Sequence, residues 1–345
     1  MTMILIIFGL GVVIFFHELG HFVMAKIFKL KVLQFSFGLG KEIMGFTYKD
    51  TRYSICIFPF GGAVKIKGES LDEENYEKDS FLGTEWYKRI SVVFAGPFMN
   101  YVLAFFLFLF LSMFYGVAEI SNEPIVGNVI TNLPAEKAGI KPKDKVLKIN
   151  DIEIKQWRDM AEIIHNSAEK KIKILLEREN RIIELGIIPV KDPSSGVGII
   201  GISPGYITRK VAFFDSVKIS LLQPVAISVI SVKYLVEKMV KLQKPEVAGP
   251  IGIVQVMAKA AKSGMEQFVY TIALISSAVG LFNLFPIPIL DGGHIVFGLI
   301  EGLFHRRPTK KVYEIANYVG LFLILTLFMF ATYSDILRNF PGLKK

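Results

Sequence analysis

Long apolar stretches, separated by segments rich in charge, form the main pattern of the chain. A helix needs about 20 mostly apolar residues to cross a bilayer, and four stretches meet or approach that length. Charged residues are concentrated between these stretches and beyond their ends. The pattern predicts a polytopic α-helical membrane protein with about four transmembrane helices, at roughly 3–27, 90–115, 268–303 and 315–333.

The segment between the first two spans is rich in glycine and charge. Two parts of it, 34–40 and 53–66, have the composition and glycine turns of β-strands. They are too apolar for a purely solvated loop. We therefore predict a membrane-associated β-hairpin region, with a plain cytosolic hairpin as the alternative. Strand edges near 38–40 or 55–58 are candidates for pairing with an extended substrate, and the acidic stretch 71–80 is predicted to be a surface loop.

Residues 120–203 differ in composition from the apolar stretches, since they have many charged residues and only moderate hydrophobicity. Short strand patterns flank a helical stretch at 157–167, which predicts an inserted soluble α+β domain. The run 138–151 resembles the A-G-L-x-x-G-D-x-I-x-x-I-N-G signature of bacterial PDZ domains, with Lys143 and Asp151 in place of two glycines. PDZ domains bind extended peptides by strand addition. The resemblance leaves open whether this PDZ-like domain binds a peptide or acts as a size filter.

Residues 211–241 are amphipathic, and Gln223-Pro224 interrupts their most apolar part. A pair of helices lying on the membrane surface is predicted here in preference to a further span. The chain is thus predicted to consist of two transmembrane helices with a β-rich loop, a PDZ-like domain, interfacial helices, and two last transmembrane helices, at 1–118, 119–205, 206–262 and 263–345.

The first span contains the motif His17-Glu18-Leu19-Gly20-His21. Residues four apart on a helix lie about 40° apart around its axis. His17 and His21 therefore point the same way and can share one metal ion, with Zn²⁺ the ion typical of this motif. Glu18 can reach the open side of that ion, take a proton from water and hand it to a leaving amine. Each ionisable residue at depth in a bilayer costs roughly 2.5–3.5 kcal/mol on insertion scales, which marks these residues as functional.

A second polar group lies in the third apolar stretch, at 283–294. Two prolines and two glycines there are predicted to break the helix and to favour a cavity. Catalytic zinc has three protein ligands and one open position, and Asp291 is the predicted third ligand. The alternative for Asp291 is a helix cap at the membrane surface. His294, one turn further on, either orients the Asp291 carboxylate or is itself the third ligand.

Four residues are candidate substrate contacts. Asn283 lies about two turns before the predicted third ligand, where its amide either holds a substrate backbone or bonds a neighbouring helix. Asn100 ends the run Ala95-Gly96-Pro97-Phe98-Met99-Asn100 in an apolar helix, with a role at the site and a helix-packing contact as its alternatives. Pro286 and Pro288 free backbone groups beside the expected cavity.

The composition agrees with a membrane protein, since 52% of the 345 residues are hydrophobic. The net charge of +9 is spread along loops without the aromatic interleaving of RNA-binding motifs. This argues for charge that flanks membrane helices and against a nucleic-acid partner. The single cysteine, Cys56, excludes an intrachain disulfide and a cysteine-rich metal site.

Basic residues also predict an orientation. The loop 305–311 and the loop before residue 90 are predicted to be cytoplasmic, since Lys and Arg accumulate on that side. Four spans then put both termini and the PDZ-like domain outside the cytoplasm. His17, His21 and Asp291 fall near the cytoplasmic ends of their helices, which brings all three to one depth.

Three motifs, at 17–21, 95–100 and 283–293, resemble those of the site-2 protease family in type and order. Over nearly its whole length the chain is similar to bacterial members with one PDZ domain. The resemblance implies that the two histidines and the aspartate bind zinc and that the glutamate is the general base. It also implies a multi-pass protein of the bacterial cytoplasmic membrane. Such a protein cuts transmembrane helices of substrates such as remnant signal peptides, or anti-sigma factors already trimmed by another protease.

Two other functions stay open from the sequence. A non-catalytic membrane scaffold would present its PDZ-like domain to peptides, and a zinc transporter or sensor would use the same polar residues. A scaffold has no need of His17, Glu18, His21 and Asp291 at one depth, so zinc content distinguishes it from a protease. A transporter needs a path across the membrane, and four transmembrane helices around one acid–base site are poorly suited to form one.

Overall fold

The computed structural model describes residues 2–69, 77–192, 195–241, 243 and 248–339. Residues 71–76 of the predicted acidic loop lie outside this set. The described residues form the helices α1 (Thr2–Ile27), α2 (Trp86–Phe114), α3 (Pro134–Lys137), α4 (Trp157–His165), α5 (Phe213–Val240), α6 (Pro250–Ser263), α7 (Met265–Asn283), α8 (Asp291–Phe304) and α9 (Lys310–Asn339). They form the strands β1 (Val32–Tyr48), β2 (Thr51–Ile66), β3 (Val117–Ile120), β4 (Val126–Val129), β5 (Lys145–Ile149), β6 (Ile152–Glu153), β7 (Ile172–Arg178), β8 (Arg181–Ile187), β9 (Val190–Lys191), β10 (Gly198–Ile199), β11 (Ile202–Pro204) and β12 (Tyr206–Arg209).

The chain divides into two compact units. The first unit comprises Met1–Phe114 and Ala212–Lys345, with α1, α2, the β1–β2 hairpin and α5 to α9. The second unit comprises Tyr115–Val211, with α3, α4 and β3 to β12. The second unit thus interrupts the first in sequence, as an inserted domain does.

Within the described residues, five helices are long and apolar enough to cross a membrane: α1, α2, α5, α7 and α9. The fold is a polytopic helical membrane protein, as predicted. Helices α1, α2, α7 and α9 correspond to the expected four spans, and α5 is a further candidate by length and composition. The predicted break at Pro224 was wrong, because α5 is continuous. The location of this segment on the membrane surface stays a prediction. Pro224 removes one helical hydrogen bond, but it is buried. One turn on, Ser228 Oγ lies 2.7 Å from the Tyr101 hydroxyl of α2, so packing holds α5 together at this point.

The third apolar stretch is broken, as its prolines and glycines predict. Helix α7 ends at Asn283, residues 284–290 form a turn, and α8 begins at Asp291. Gly292 is required there, because a Cβ would overlap the backbone carbonyl of Phe285. The break places Asp291 in the first turn of a helix.

Helix α2 packs against both α1 and α7, and glycines allow a close approach. A Cβ at Gly20 of α1 would overlap the Ala95 carbonyl of α2, and a Cβ at Gly280 of α7 would lie 3.0 Å from the Pro97 carbonyl. The core between these helices also contains the fully buried Met257 of α6. This packing holds the histidine-bearing face of α1 against α2.

Strands β1 and β2 form the predicted hairpin region, joined by a turn at Lys49-Asp50. Both turn residues have positive φ, 44° and 63°, as a type I′ turn requires. Phe35 of β1 pairs with both Val64 and Tyr53 of β2. The first half of β1 therefore lies between two segments of β2.

The last segment of β2, residues 62–66, pairs on one side with β1 and forms an edge, which we call the β2 edge. The hairpin packs on α1, where the Phe22 ring stacks on Phe35 with 4.8 Å between centroids. Val32 and the end of β2 share a buried cluster with Ala25 of α1. The start of β1 and the end of β2 therefore pack on the helices of the first unit, whereas Ile43, Met44 and Phe46 further along β1 are exposed.

The second unit has its own hydrophobic core beside an antiparallel sheet of order β6-β5-β7-β8. Met160 and Ile164 of α4 pack in that core with Ile149, Ile174 and Leu176 of the sheet. The strand pairs β3–β12, β4–β11 and β9–β10 accompany it. The unit is thus an α+β domain, in agreement with the prediction.

Candidate metal centre

Three side chains of the first unit bring their ligating atoms together. His17 and His21, both on α1, have Nε2 atoms 3.2 Å apart. Asp291, at the start of α8, places Oδ2 3.1 Å from His17 Nε2 and Oδ1 3.6 Å from His21 Nε2. The pitch of α1 aligns the histidines, and the break before α8 positions the carboxylate. The ligating atoms of the three residues all lie within 4.8 Å of one another.

The chemistry of these atoms suits a zinc ion. Tetrahedral zinc with bonds of about 2.0–2.1 Å places neighbouring ligand atoms about 3.3–3.4 Å apart. The separations from His17 Nε2 to His21 Nε2 and to Asp291 Oδ2, 3.2 and 3.1 Å, are close to that value. The other carboxylate oxygen of Asp291, Oδ1, lies 3.6 Å from His21 Nε2. Asp291 Oδ2 is buried and has no hydrogen-bond partner among the described residues. Two imidazoles and one carboxylate leave one position open, as in catalytic zinc sites.

Residues of helix α2 contact the Nδ1 atom of each histidine, the ring nitrogen that does not face the other two candidate ligands. His21 Nδ1 lies 2.9 Å from the backbone carbonyl of Val92. Since a carbonyl can only accept, Nδ1 carries the proton and Nε2 keeps its lone pair for a metal. His17 Nδ1 lies 3.1 Å from the carboxamide nitrogen of Asn100, a residue with no exposed surface. These two contacts orient both rings.

Val92, Gly96 and Asn100 follow one another at four-residue spacing and share one face of α2. Gly96 lies against the two rings, because a Cβ there would overlap the His21 imidazole and lie 3.0 Å from Cε1 of His17. The sequence pattern indicated the run that ends at Asn100 but not these roles of Val92 and Gly96. The available signal was a glycine with a polar residue four positions later in an apolar helix.

Glu18 follows His17 on α1 and lies against the β2 edge. Its Oε2 accepts a hydrogen bond from the Val64 N–H at 3.2 Å. Gly62 is also close, since a Cβ there would lie 3.0 Å from Glu18 Cγ. The Glu18 carboxylate lines the same cavity as the three convergent side chains. A group in that position can exchange protons with a reacting water.

The cavity has a volume of about 530 Å³. Residues of α1, α2, α7, α8, α9 and the β2 edge line it, and all of them belong to the first unit. A concentration of polar groups in an apolar body is typical of a functional site. Its polar and titratable lining residues are His17, Glu18, His21, Glu69, Arg89, Asn283, Asp291, His294, Tyr313 and Asn317.

The predicted substrate contacts fall in different places. Asn283 lines the cavity, and its Nδ2 donates to a carbonyl of its own helix at 3.1 Å. Asn100 lies behind the imidazoles and does not line the cavity. Pro286 and Pro288 lie in the turn before α8, also outside the lining, and Pro288 packs against Gly320 of α9. Of the four, the structure brings Asn283 alone to the cavity wall.

The strand segment at the cavity also differs from the expectation. Val64 and Ile66 line the cavity, whereas the segments 38–40 and 55–58 do not. His294 lines the cavity as well, but it lies outside the group of convergent ligand atoms.

Several polar groups of the cavity wall are not predicted by the sequence pattern. Arg89 of α2 is buried in an ion pair with Glu301 of α8. Glu69 follows β2 and is exposed by surface area. Partial desolvation raises the pKa of its carboxyl, although a hydrogen bond from the Ile66 N–H opposes this. Asn317 of α9 has a buried carboxamide oxygen without a partner among the described residues. These residues carry no local motif and meet at the cavity only through tertiary packing.

Comparison with known proteins decides the family. The model of peptidase family M50 matches residues 5–327 of the chain. The chain belongs to peptidase family M50. This confirms the resemblance to site-2 proteases, and the M50 member is accordingly a metalloprotease.

The sequences of its relatives match this M50 protein over nearly its whole length. A protein of Campylobacter jejuni is 34% identical over 341 residues, which cover 94% of this chain and 90% of the relative. A protein of Clostridium acetobutylicum is 33% identical over 338 residues, which cover 97% of each chain. Both relatives have been assigned the name of a zinc metalloprotease. A zinc cofactor agrees with the donor set of His17, His21 and Asp291.

Solved structures similar to part of the M50 member include the PDZ domain of an SdrC-like protein from Listeria monocytogenes. It is 19% identical, with a TM-score of 0.23, and the match covers 26% of this chain and 93% of that domain. A PDZ domain of an SdrC-like protein from Listeria innocua is 23% identical with a TM-score of 0.23, covering 26% of this chain and 100% of that domain.

Proposed function

We propose that this M50 metalloprotease is a zinc-dependent intramembrane endopeptidase that hydrolyses peptide bonds within transmembrane segments of substrate proteins. One observation carries the proposal. The ligating atoms of His17, His21 and Asp291 lie within 4.8 Å of one another, in a unit built largely of candidate membrane helices. Glu18 lines the same cavity and offers the base that peptide hydrolysis needs.

Each residue of the centre has a distinct role in the proposed reaction. His17, His21 and Asp291 hold the zinc, which would polarise the scissile carbonyl and make water more acidic. Glu18 takes the proton of the attacking water and returns it to the leaving amine. Before substrate binds, the Val64 N–H, 3.2 Å from Glu18 Oε2, holds the carboxylate of this base.

Asn100 is assigned a positioning role instead of the expected substrate contact. His17 must present its Nε2 lone pair to a metal, so its Nδ1 must carry the proton and donate. Asn100 Oδ1 is buried and has no partner among the described residues. A half-turn of the carboxamide exchanges its oxygen and nitrogen with little change in shape. The oxygen then accepts the His17 proton.

The proposed substrates are membrane proteins with a transmembrane segment, such as anti-sigma factor-like proteins or remnant signal peptides. A helical segment hides its amides in its own hydrogen bonds, so it must unwind before hydrolysis. The extended segment then lies along the β2 edge, where Val64 and Ile66 line the cavity. Asn283 holds a backbone group of the same segment. The PDZ-like second unit binds a peptide end by strand addition.

The proposed location is the bacterial cytoplasmic membrane, with the site near the cytoplasmic face and the second unit outside. The support is the basic loop 305–311 and the basic residues before residue 90. Membrane-impermeant thiol reagents test this orientation on single cysteines introduced at position 306 and in the second unit. Labelling of position 306 from outside intact cells would contradict it.

Zinc analysis combined with cleavage of a synthetic transmembrane peptide tests the function. Wild type is expected to contain zinc and to cut the peptide, and Glu18→Gln is expected to keep zinc and lose cleavage. Cleavage by Glu18→Gln with verified zinc content excludes the base assignment. A non-catalytic scaffold presenting its PDZ-like unit would contain no zinc and would leave the peptide intact.

A further inference from the structure

Two outward-facing backbone N–H groups of the β2 edge donate hydrogen bonds to side-chain carboxylates. The Val64 N–H donates to Glu18 at 3.2 Å, and the Ile66 N–H donates to Glu69 at 3.3 Å. Residues two apart on a strand direct their amides to the same side, about 6.4–6.8 Å apart. A strand added to this edge would place the carbonyl oxygens of two of its residues, two apart in sequence, at these two positions. The two carboxylates therefore stand where the carbonyls of an added strand would bind.

We propose that Glu69 occupies the place of a substrate carbonyl and is displaced when an extended substrate segment adds to the β2 edge. The inference rests on the proposed intramembrane proteolysis and names a residue that controls entry to its site. Glu69 lines the cavity together with Glu18 and Ile66. A segment that runs along the edge towards the metal centre therefore meets the Glu69 side chain and competes with it for the Ile66 N–H.

The Glu69 side chain is not what holds the turn after β2 in place. The Phe81 N–H donates to the Lys67 carbonyl at 2.7 Å, and the Leu82 N–H donates to the Gly68 carbonyl at 3.1 Å. These backbone bonds tie the turn to the segment before α2. Removal of the Glu69 side chain is therefore expected to free the Ile66 N–H without unfolding the turn.

The surroundings of Glu69 favour its displacement. Desolvation raises the pKa of its carboxyl, and the negative charge of Glu18 adds to this effect. The hydrogen bond from Ile66 and the charge of Lys65 act in the opposite direction. A peptide carbonyl carries no net charge, so it takes the Ile66 N–H without the repulsion from Glu18.

Peptide binding without turnover tests the inference directly. The probe is a fluorescent synthetic peptide containing one apolar transmembrane segment, added to zinc-loaded protein in detergent micelles. Its Kd for Glu18→Gln is compared with its Kd for Glu18→Gln/Glu69→Ala. The second variant is expected to bind about three- to tenfold more tightly, because substrate no longer competes with a charged hydrogen-bond acceptor. An unchanged or weaker affinity, or no binding by either variant, overturns the inference.

Asp50→Asn in the same Glu18→Gln background is the matched control. It also removes a carboxylate from the hairpin, at the turn between β1 and β2, and it is expected to leave the Kd unchanged. An equal gain in affinity in this control would assign the effect to net charge and overturn the role of Glu69.

Steady-state kinetics separate the displacement from a structural role. Glu69→Ala alone is expected to lower KM by the factor seen in Kd and to leave kcat within about twofold. A higher KM together with a lower Tm would make Glu69 a structural residue and overturn the inference. Because the binding measurement needs no turnover, failure of wild type to cut the peptide would count against the proposed function alone.

Discussion

Gly96 of α2 lies against the His21 imidazole of α1 so closely that a Cβ at position 96 would overlap the ring. The same Cβ would lie 3.0 Å from Cε1 of His17. The lack of a side chain at this position allows α2 to reach both rings, with the Val92 carbonyl on one side and the Asn100 carboxamide on the other.

Gly96→Ala is expected to weaken zinc binding at least about tenfold, because the added methyl displaces an imidazole whose orientation sets metal affinity. Zinc retained per chain after challenge with a chelator measures the effect. Gly205→Ala is the control, since the nearest heavy atom to a Cβ there is 3.6 Å away. Equal zinc retention in the two variants would contradict the close packing of Gly96 on the rings.

Asn100→Leu is expected to lower zinc affinity about 10- to 100-fold, the usual effect of removing the partner of a ligating histidine. Asn100→Asp keeps an acceptor for the His17 Nδ1 proton and is expected to stay close to wild type. Competition with a chelator of known affinity measures both. If Asn100 served helix packing alone, the leucine variant would bind zinc as wild type does.

Loss of a ligand is expected to abolish zinc binding, so His21→Ala and Asp291→Ala should both be isolated without zinc. Elemental analysis after dialysis is the measurement. Asp335→Asn is the control: Asp335 is another buried carboxylate of the first unit, and it accepts hydrogen bonds from Gly249 at 3.2 Å and Gly252 at 2.7 Å. Wild-type zinc content in Asp291→Ala would remove Asp291 from the ligand set.

Asp144 and Arg178 form a two-pronged ion pair in the second unit. Arg178 donates to both Asp144 carboxylate oxygens at 2.7 Å, and the carboxylate is fully buried. This bond raises the pKa of Arg178. Asp144→Ala removes this ion pair, although Arg178 keeps its hydrogen bond to the Gly139 carbonyl. It is expected to lower the free energy of unfolding of an isolated 115–211 segment by about 1.5–3 kcal/mol.

Urea denaturation of the 115–211 segment measures the Asp144→Ala effect. Glu184→Gln, which breaks the exposed pair with Lys173 at 3.3 Å, is the control and is expected to change the free energy of unfolding by less than about 1 kcal/mol. A similar decrease in the free energy of unfolding in both variants would mean that burial of Asp144 does not strengthen its ion pair.

Local spacing was enough to predict much of the helical framework. The four-residue spacing of His17 and His21 places both on one helix face, independently of their surroundings. Two prolines and two glycines between positions 283 and 294 predicted a broken helix, and the structure has a turn there that ends at Asp291. The assignment of these three residues as zinc ligands stays a prediction until the metal is measured.

Predictions that depended on distant partners fared differently. Pro224 predicted a break in residues 211–241, yet α5 runs through it, because burial against other parts of the first unit outweighs one lost hydrogen bond. The strand pattern of the hairpin was recognised, but its edge at the cavity was misplaced. A strand pattern does not reveal that the first half of β1 pairs with two segments of β2.

By itself, the sequence determined most of the apolar helices, the alignment of the two histidines and the break before Asp291, because these depend on helix pitch and on backbone chemistry within a few residues. The tertiary structure alone decided that Asn100 lies behind His17, that Gly96 borders His21, and that Glu69 caps an amide of the β2 edge. These contacts depend on how helices and strands pack against one another, and no short stretch of the chain encodes that.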